Sequence, residues 1–441
     1  MKDVPELRAH LQDIADGAPG AKPIDTRARR KIRVRQSVLI AVTAMSVVAL
    51  ATTGLALSGR EAVRLSDERA AAGEKDPAKS DCVWKIAALG AWSDGYASWG
   101  EPILDAVGFA VDEANERGDL ACRVEVRSED SQGKPDLTTT LARKAVQDEA
   151  VVACMCPYLT FETMAAGPVF SSAGVLMTAT ATNPTLDERG FETWFGAVVS
   201  DDFQGEIAGE LIASMGAANV AVVDDGQEYS RTLTTAVQST LGERVGGTFT
   251  IGLGRSDNSG IVDQVAAMEP DFVFYGGYAP DAGPLLAQLR EAGVASPFMS
   301  DQASKHPEFG KLAVEAASGA LVVCPCADPT RIESAAAFVE GMRAAHGPDS
   351  PGTFGVEAYD VTSLVVEALK TYEGDPADTG AVRAHVVKHF GDAQGYDGLA
   401  KTYSWNEDGE LERRSDAVWL YEWDPAKKAF VGRGPASDFL D

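Results

Sequence analysis

The chain has 441 residues, 45% of them apolar and 24% charged, so it is long enough for two domains and too ordinary in composition for wholesale disorder. Its 39 basic and 66 acidic side chains give a net charge of −27, which excludes nucleic-acid binding as the main role because such a surface repels phosphate. Residues 1–36 hold nine basic and five acidic side chains, so this segment carries +4 and the rest of the chain −31.

A long apolar run follows this basic segment. Residues 37–57, SVLIAVTAMSVVALATTGLAL, contain 21 positions without a charged side chain, and a helix of that length spans about 31 Å, the thickness of a bilayer core. Because basic side chains mark the cytoplasmic flank, we expect residues 1–36 in the cytoplasm, a single transmembrane helix over 37–57 and a polar linker over 58–81. The remainder would then lie outside the cell. The alternative is a cleaved signal peptide, which usually has a shorter apolar core and a shorter leader.

Six cysteines follow the apolar run, and an even number on the exported side favours disulfide bonds. They are Cys82, Cys122, Cys154, Cys156, Cys324 and Cys326. A metal site would need thiolates to converge from Cys154-Met-Cys156 and Cys324-Pro-Cys326, and neither pair has the longer spacer that zinc sites usually have. Buried free thiols are the third alternative. We predict disulfides and no metal.

Short apolar runs alternate with longer amphipathic ones from residue 84 onward. The predicted strands are 84–90, 122–128, 151–156, 175–180, 219–225, 246–252, 271–277, 296–301 and 320–326. Alternating strands and helices predict parallel sheets with right-handed crossovers. Two such series meet around 194–205, and two facing sheets would form a cleft. The stretch 401–423 is predicted to be a β-hairpin with its turn at 407–409.

The sequence lacks four common catalytic or nucleotide-binding motifs. There is no HExxH, no G-x-S-x-G elbow, no Walker A loop and no G-x-G-x-x-G after a predicted strand. His385 and His389 are four residues apart on one helical face, but no third metal ligand is near them in sequence, so they indicate a solvated helix face. We therefore predict a protein that is not an enzyme and needs no cofactor.

Short polar and aromatic side chains instead follow the predicted strands, where ligands of open parallel sheets bind. These residues are Thr160, Thr180, Thr182, Tyr229, Tyr278, Asp301 and Gln302. Thr160 opens a predicted helix, whose free backbone amides suit a carboxylate. Hydroxyls from one sheet, with an acid and tyrosines from the other, predict a site for a zwitterion. Taken singly, each residue also fits an ordinary helix cap or turn.

Four segments within residues 84–425 resemble one known family. They are IAALGAWSDGYASWGE, VLMTATATNPTLDERGF, DFVFYGGYAPDAGPLLAQLREAG and GTFGVEAYDV, of which the third is the most specific. The chain resembles the branched-chain amino-acid-binding proteins of ABC transporters, which have the α/β, type I periplasmic-binding-protein fold. The resemblance implies two Rossmann-like lobes joined by three crossings. We place lobe 1 at 82–197 plus 325–396 and lobe 2 at 198–324 plus 397–441.

The resemblance also implies how a ligand would be held at its charged end. The hydroxyls of Thr160 and Thr182 would bind the α-carboxylate of an amino acid. The backbone carbonyl of Thr180 and an acid from the second lobe would bind its ammonium group. The position of that acid falls on Gln302, with Asp301 one residue earlier, which is a departure from the family.

The resemblance assigns aromatic residues to the rest of the cleft. Tyr229 and Tyr278 would close over the ligand, Trp99 would line the cleft, and Phe354 would border the side-chain pocket. The CMCPY run before Thr160 and the predicted membrane helix are two further departures from the typical family member.

These features together predict a membrane-anchored extracellular solute-binding protein that closes on a small polar ligand, an amino acid in our interpretation, and passes it to an ABC permease. The alternative is a ligand-sensing or interaction receptor domain on the same fold, which would signal through residues 1–36 or a partner protein.

The same fold predicts one disulfide pair. Cys82 stands just before the first strand and Cys122 begins the second, and these strands are parallel neighbours about 4.8 Å apart in a doubly wound sheet. Their starting ends therefore lie close to the Cα separation of roughly 4.4–6.8 Å that a disulfide needs. We predict a Cys82–Cys122 bond, and the pairing of the other four cysteines stays open.

Overall fold

Two β-sheets with helices around them organise the chain. The computed structural model describes residues 82–93 and 96–440. The strands of the first sheet are Val83–Gly90 (β1), Arg123–Asp130 (β2), Val151–Met155 (β3), Leu176–Ala179 (β4) and Trp194–Gly196 (β5). Their order is β2-β1-β3-β4-β5, and all neighbours run parallel. We call this sheet with its helices lobe 1.

The second sheet, which with its helices forms lobe 2, is larger and mixed. The remaining strands are Val220–Asp224 (β6), Val245–Thr250 (β7), Phe272–Gly276 (β8), Phe298–Ser300 (β9), Leu321–Cys324 (β10), Gln394–Asp397 (β11), Thr402–Ser404 (β12), Trp419–Asp424 (β13) and Ala429–Pro435 (β14). The strand order in lobe 2 is β14-β13-β10-β9-β8-β6-β7, and β13 runs antiparallel to both of its neighbours. Strands β11 and β12 form a separate small sheet.

The helices occupy the segments between strands. They are Ala97–Arg117 (α1), Pro135–Val146 (α2), Thr160–Ser172 (α3), Asp201–Ser214 (α4), Glu228–Leu241 (α5), Ser259–Met268 (α6), Ala279–Glu291 (α7), Pro307–Ala313 (α8), Ala336–His346 (α9), Gly355–Lys370 (α10) and Thr379–Asp392 (α11). Helices α4 and α5 pack against each other, whereas α10 packs on α1 and α11 on β3. The chain therefore returns to lobe 1 after β10, as the predicted crossings require.

The central strands are apolar because helices cover both of their faces. Every residue of β3, β6 and β8 is buried, which is the continuous apolar pattern of covered parallel sheets. This confirms the predicted α/β class with parallel central strands. The exact limits proposed for the two lobes stay a prediction.

The predicted C-terminal hairpin was wrong in its pairing. A tight turn does occur where expected, with a bridge between Trp405 and Leu411. However, β12 pairs with β11, and β13 lies inside the lobe 2 sheet between β10 and β14. The first five residues of β13 are all buried, so this strand needs cover on both faces that a surface hairpin would not supply.

The cysteines form three disulfides. Cys82 and Cys122 are bonded with their Cα atoms 5.0 Å apart, which confirms the pairing predicted from adjacent strands. The remaining bonds join Cys154 to Cys156 and Cys324 to Cys326. Within the described residues there is no group of three or more side chains that could hold a metal ion.

The predicted transmembrane helix at 37–57, with its flanking segments 1–36 and 58–81, lies outside the described residues. Among the residues that are described, no helix is long and apolar enough to cross a membrane.

Candidate functional site

Asp301 is the centre of a buried hydrogen-bond network at the end of β9. Its carboxylate accepts the Tyr229 hydroxyl at 2.6 Å, the backbone N–H of Gly277 at 2.7 Å and that of Ala303 at 2.8 Å. Burial raises the pKa of Asp301 to about 7, and the charge of Asp225 acts in the same direction, while these hydrogen bonds oppose the rise. The carboxyl is therefore held in one orientation but lacks a basic partner among these contacts.

Gly277 is needed for this arrangement. Its φ of 147° is accessible mainly to glycine, and a Cβ atom there would lie 2.5 Å from the Tyr275 hydroxyl oxygen. The backbone of Gly277 can therefore reach Asp301 with its N–H while its carbonyl accepts the Ser304 hydroxyl at 2.7 Å. These bonds tie the turn after β8 to the turn after β9.

Two tyrosines lie next to this carboxyl. Tyr229 is the second residue of α5 and Tyr278 immediately precedes α7, and their ring centroids are 5.5 Å apart. Both side chains are half-buried. Burial is the main cause that raises the pKa of both tyrosines, with a further contribution from Asp301, so both hydroxyls stay protonated at neutral pH.

Lobe 1 contributes three threonines at the ends of its strands. Thr160 is the first residue of α3 and is half-buried. Thr180 and Thr182 follow β4 and are buried, with exposed fractions of 2% and 8%. The Thr180 hydroxyl has no hydrogen-bond partner within the described residues, and the Thr182 carbonyl accepts the backbone N–H of Asp201 at 2.7 Å.

Asp201 is the residue that our sequence reasoning missed. It opens α4 just after the first crossing between the lobes, it is buried, and neither of its carboxylate oxygens accepts a hydrogen bond of standard geometry from the described residues. Burial raises the pKa of Asp201 to about 7; the side chains of Thr182 and Gln302 lie close enough to oppose the rise, and the charge of Asp301 adds to it. An acid at a helix start beside a crossing was the signal available in the sequence.

Gln302 completes this part of the site. It is buried beside Asp201, and its carbonyl oxygen Oε1 has no partner within the part of the chain that the structure describes. The structure therefore brings together Thr182, Asp201, Asp301 and Gln302, with Tyr229 bonded to this group.

Trp99 and Phe354 lie on the lobe 1 side. Trp99 stacks on His306 of lobe 2 with ring centroids 4.5 Å apart, and the Nε2 atom of His306 is 3.0 Å from the Ser98 hydroxyl. Phe354 is buried just before α10 with a φ of 63°, a left-handed conformation that is strained for an aromatic residue. Among the described residues, no ring contact or hydrogen bond joins either of them to the Asp301 network.

Comparison with known proteins shows which family this architecture resembles. The family model described as periplasmic binding protein matches residues 83–429. An "Amino acid binding protein" of Pseudomonas aeruginosa is 29% identical over 353 residues, which are 78% of this chain and 91% of that protein. A leucine-, isoleucine-, valine-, threonine- and alanine-binding protein of the same organism is 28% identical over 352 residues, covering 77% and 89%.

Among solved structures, the chain is similar to the substrate-binding protein of a branched-chain amino acid transporter from Streptococcus pneumoniae, in complex with isoleucine. The two share a TM-score of 0.70 at 21% identity, over 80% of this chain and all of that one. The similarity supports the fold seen here. Because the family model spans most of the chain, the chain belongs to the periplasmic binding protein family.

Proposed function

We propose that this protein binds an amino acid between its lobes and passes it to an ABC transporter. The observation that carries the proposal is a group of buried polar atoms without protein partners where the lobes meet. Within the described residues, the Thr180 hydroxyl and the Gln302 carbonyl oxygen have no partner, and the Asp201 carboxylate accepts no hydrogen bond of standard geometry, with the Thr182 and Gln302 side chains close to it. Buried polar atoms are rarely left unbonded in a functional state, so we infer that a ligand supplies the missing bonds.

The chemistry of this group suits a zwitterion. In the proposal, the acids Asp201 and Asp301 face the ligand ammonium, while the hydroxyl of Thr182 and the first turn of α3 at Thr160 face its carboxylate. Tyr229 and Tyr278 then cover the ligand from lobe 2. The names of the relatives, which describe amino-acid binding and transport, support the same interpretation.

The membrane anchor belongs to the proposal as well. We infer that residues 37–57 hold the binding lobes at the outer surface of the cell membrane, with residues 1–36 in the cytoplasm. The charge difference between the basic N-terminal segment and the acidic remainder supports this orientation. Protease treatment of intact cells should digest the lobes and spare an epitope placed at the N-terminus. Protection of the lobes would contradict the orientation.

The test of the binding site is a calorimetric screen of the purified chain against the common amino acids. Thr182→Ala and Tyr278→Ala should each weaken binding by about 1–3 kcal/mol, since each leaves polar groups unpaired. The matched control is Thr140→Ala, because Thr140 is exposed on α2 and, among the residues that the structure describes, its hydroxyl bonds the Asp136 carbonyl of its own helix. If the affinity is unchanged in both cleft variants, the site is not where we place it.

The second test separates the two residues at the acid position. Asp301→Asn should lose more affinity for amino acids than Gln302→Ala, since of these two residues Asp301 is the one with a charge opposite to that of the ligand ammonium. The reverse order would show that Gln302 occupies the ammonium position.

A further inference from the structure

Lys305 links the two lobes beside the candidate site. It directly follows the single turn Gln302–Ser304, in the loop between β9 and α8 of lobe 2. Its ammonium nitrogen donates to the Thr353 hydroxyl at 3.0 Å, and Thr353 precedes Phe354 in the loop that leads into α10 of lobe 1. The ammonium group therefore lies where the lobes meet, next to a residue that we assign to the ligand side-chain pocket.

The hydrogen bonds of this ammonium group are incomplete. A lysine has three N–H donors, and within the described residues one of them binds a neutral hydroxyl. The nitrogen also lies 4.5 Å from the centroid of the Tyr421 ring, but no carboxylate of the described residues is within 4.0 Å of it. Burial lowers the pKa of Lys305 to about 8, and the more distant charges of Asp328 and Glu357 oppose this. Lys305 is therefore largely charged at neutral pH and short of an anionic partner.

Lys401, which is buried, shows how this chain satisfies an ammonium group when the role of the lysine is structural. The Lys401 ammonium lies 3.4 Å from the Glu357 carboxylate and donates to the Pro325 carbonyl at 2.9 Å. Glu357 also accepts the backbone N–H of Ala327 at 2.7 Å. One oxygen of the Glu357 carboxylate is thus engaged by Lys401 and Ala327, and the Asp328 carboxylate accepts the backbone N–H groups of Thr330 and Gly432. Within the described residues, Lys305 retains unused donors.

We propose that Lys305 binds an anionic group at the far end of the ligand side chain, so that the preferred ligand is an acidic amino acid such as glutamate or aspartate. This inference rests on the proposed function, because the acids Asp201 and Asp301 must take the ligand ammonium. Carboxylates from one part of the site and an ammonium from another would then recognise a ligand that carries both charges. An aliphatic ligand would leave the Lys305 ammonium without a counter-charge when the lobes close, which is unfavourable.

The experiment is calorimetric titration of the full chain with glutamate, aspartate and leucine. The unaltered protein should bind an acidic amino acid more tightly than leucine. Lys305→Met keeps the apolar stem and removes the charge, so its affinity for the acidic ligand should fall about 10- to 100-fold while its affinity for leucine holds or rises. The matched control is Lys311→Met, because Lys311 is exposed on α8, and this variant should bind like the unaltered protein.

The possible results separate this inference from the function on which it rests. If leucine binds and neither acidic amino acid does, Lys305 does not select the ligand and the amino-acid function stands. If Lys305→Met binds glutamate as tightly as the unaltered protein, Lys305 again does not select the ligand and the amino-acid function stands. If no amino acid binds at all, both proposals fail. Lys305→Arg keeps the charge and should keep the preference, which tests the role of Lys305 even if the methionine variant folds poorly.

Discussion

The paired acids Asp201 and Asp301 predict that ligand affinity depends on pH. Burial raises the pKa of each to about 7, and the charge of Asp301 adds to the rise at Asp201. A ligand ammonium is attracted only to an ionised carboxylate, so an acid that is protonated in the ligand-free protein must release its proton on binding. The ammonium and the α-carboxylate of an amino acid keep their charges over this range. The pH dependence therefore comes from the protein.

The magnitude follows from the pKa. Below about pH 7, the ionised fraction of one carboxyl falls tenfold for each unit of pH, which corresponds to about 1.36 kcal/mol of binding free energy. Between about pH 8 and pH 5 the affinity should thus fall roughly 100-fold, or about 2.7 kcal/mol, if one carboxyl must be ionised.

The unliganded protein should show the opposite trend in its stability. The pKa of each carboxyl is raised in the folded state, whereas an unfolded Asp ionises near pH 3.9. Between these values the folded state holds more protons, so the contribution of these groups to the free energy of unfolding falls as the pH rises from about 4 to about 7. A saturating amino acid should reduce this loss, because it stabilises the ionised carboxyls.

The assay is isothermal titration across this pH range in two buffers of different ionisation enthalpy, which also counts the protons released. The double variant Asp201→Asn with Asp301→Asn should bind the amino acid weakly, and its affinity should not change with pH. Asp187→Asn is the matched control, since burial also raises the pKa of Asp187 to about 7, but its carboxylate accepts the Trp194 indole N–H at 2.9 Å away from the site. An affinity that is flat between about pH 5 and pH 7, where Lys305 stays largely charged, or a slope that survives over this range in the double variant, would refute the reasoning.

Three further predictions concern single contacts. Replacing Cys82 and Cys122 by serine opens a loop of 40 residues and should lower the free energy of unfolding by about 4 kcal/mol in urea titrations; a loss below about 1 kcal/mol would contradict this. Lys401→Met leaves the fully buried Glu357 without its counter-charge and should cost about 3–5 kcal/mol, which Glu357→Gln in the same chain should largely restore. Tyr229→Phe removes a 2.6 Å hydrogen bond that stabilises ionised Asp301, so the midpoint of the pH dependence of binding should move upward; an unchanged midpoint would separate this bond from ligand binding.

The local pattern of the sequence predicted the architecture well. Apolar runs such as 219–225 and 271–277 correspond to buried strands β6 and β8, because a strand covered on both faces must be apolar throughout. The Cys82–Cys122 bond could also be predicted, since strand adjacency follows from the α/β order and brings the two strand starts together. Polar residues at strand ends likewise predicted the place of the proposed ligand site.

Other features depend on contacts between residues that are distant in the chain. Nothing in the local pattern indicated that β13 would pair with β10, because a strand buried on both faces and half of a hairpin have similar composition over a few residues. The bonds of Cys154 to Cys156 and of Cys324 to Cys326 were equally undetermined, since pairing depends on the local path of each strand end.

The charged residues of the site show most clearly which properties follow from the sequence and which depend on the tertiary structure. From the sequence alone, Asp301 was one acid at a strand end, and our sequence analysis did not single out Asp201 or Lys305. Folding buries both acids near each other, which raises the pKa of each, and it sets the Lys305 ammonium against a neutral hydroxyl of the other lobe. Residue type and spacing determined which groups were available, whereas burial and proximity, which exist only in the tertiary structure, decided their charge state and their partners.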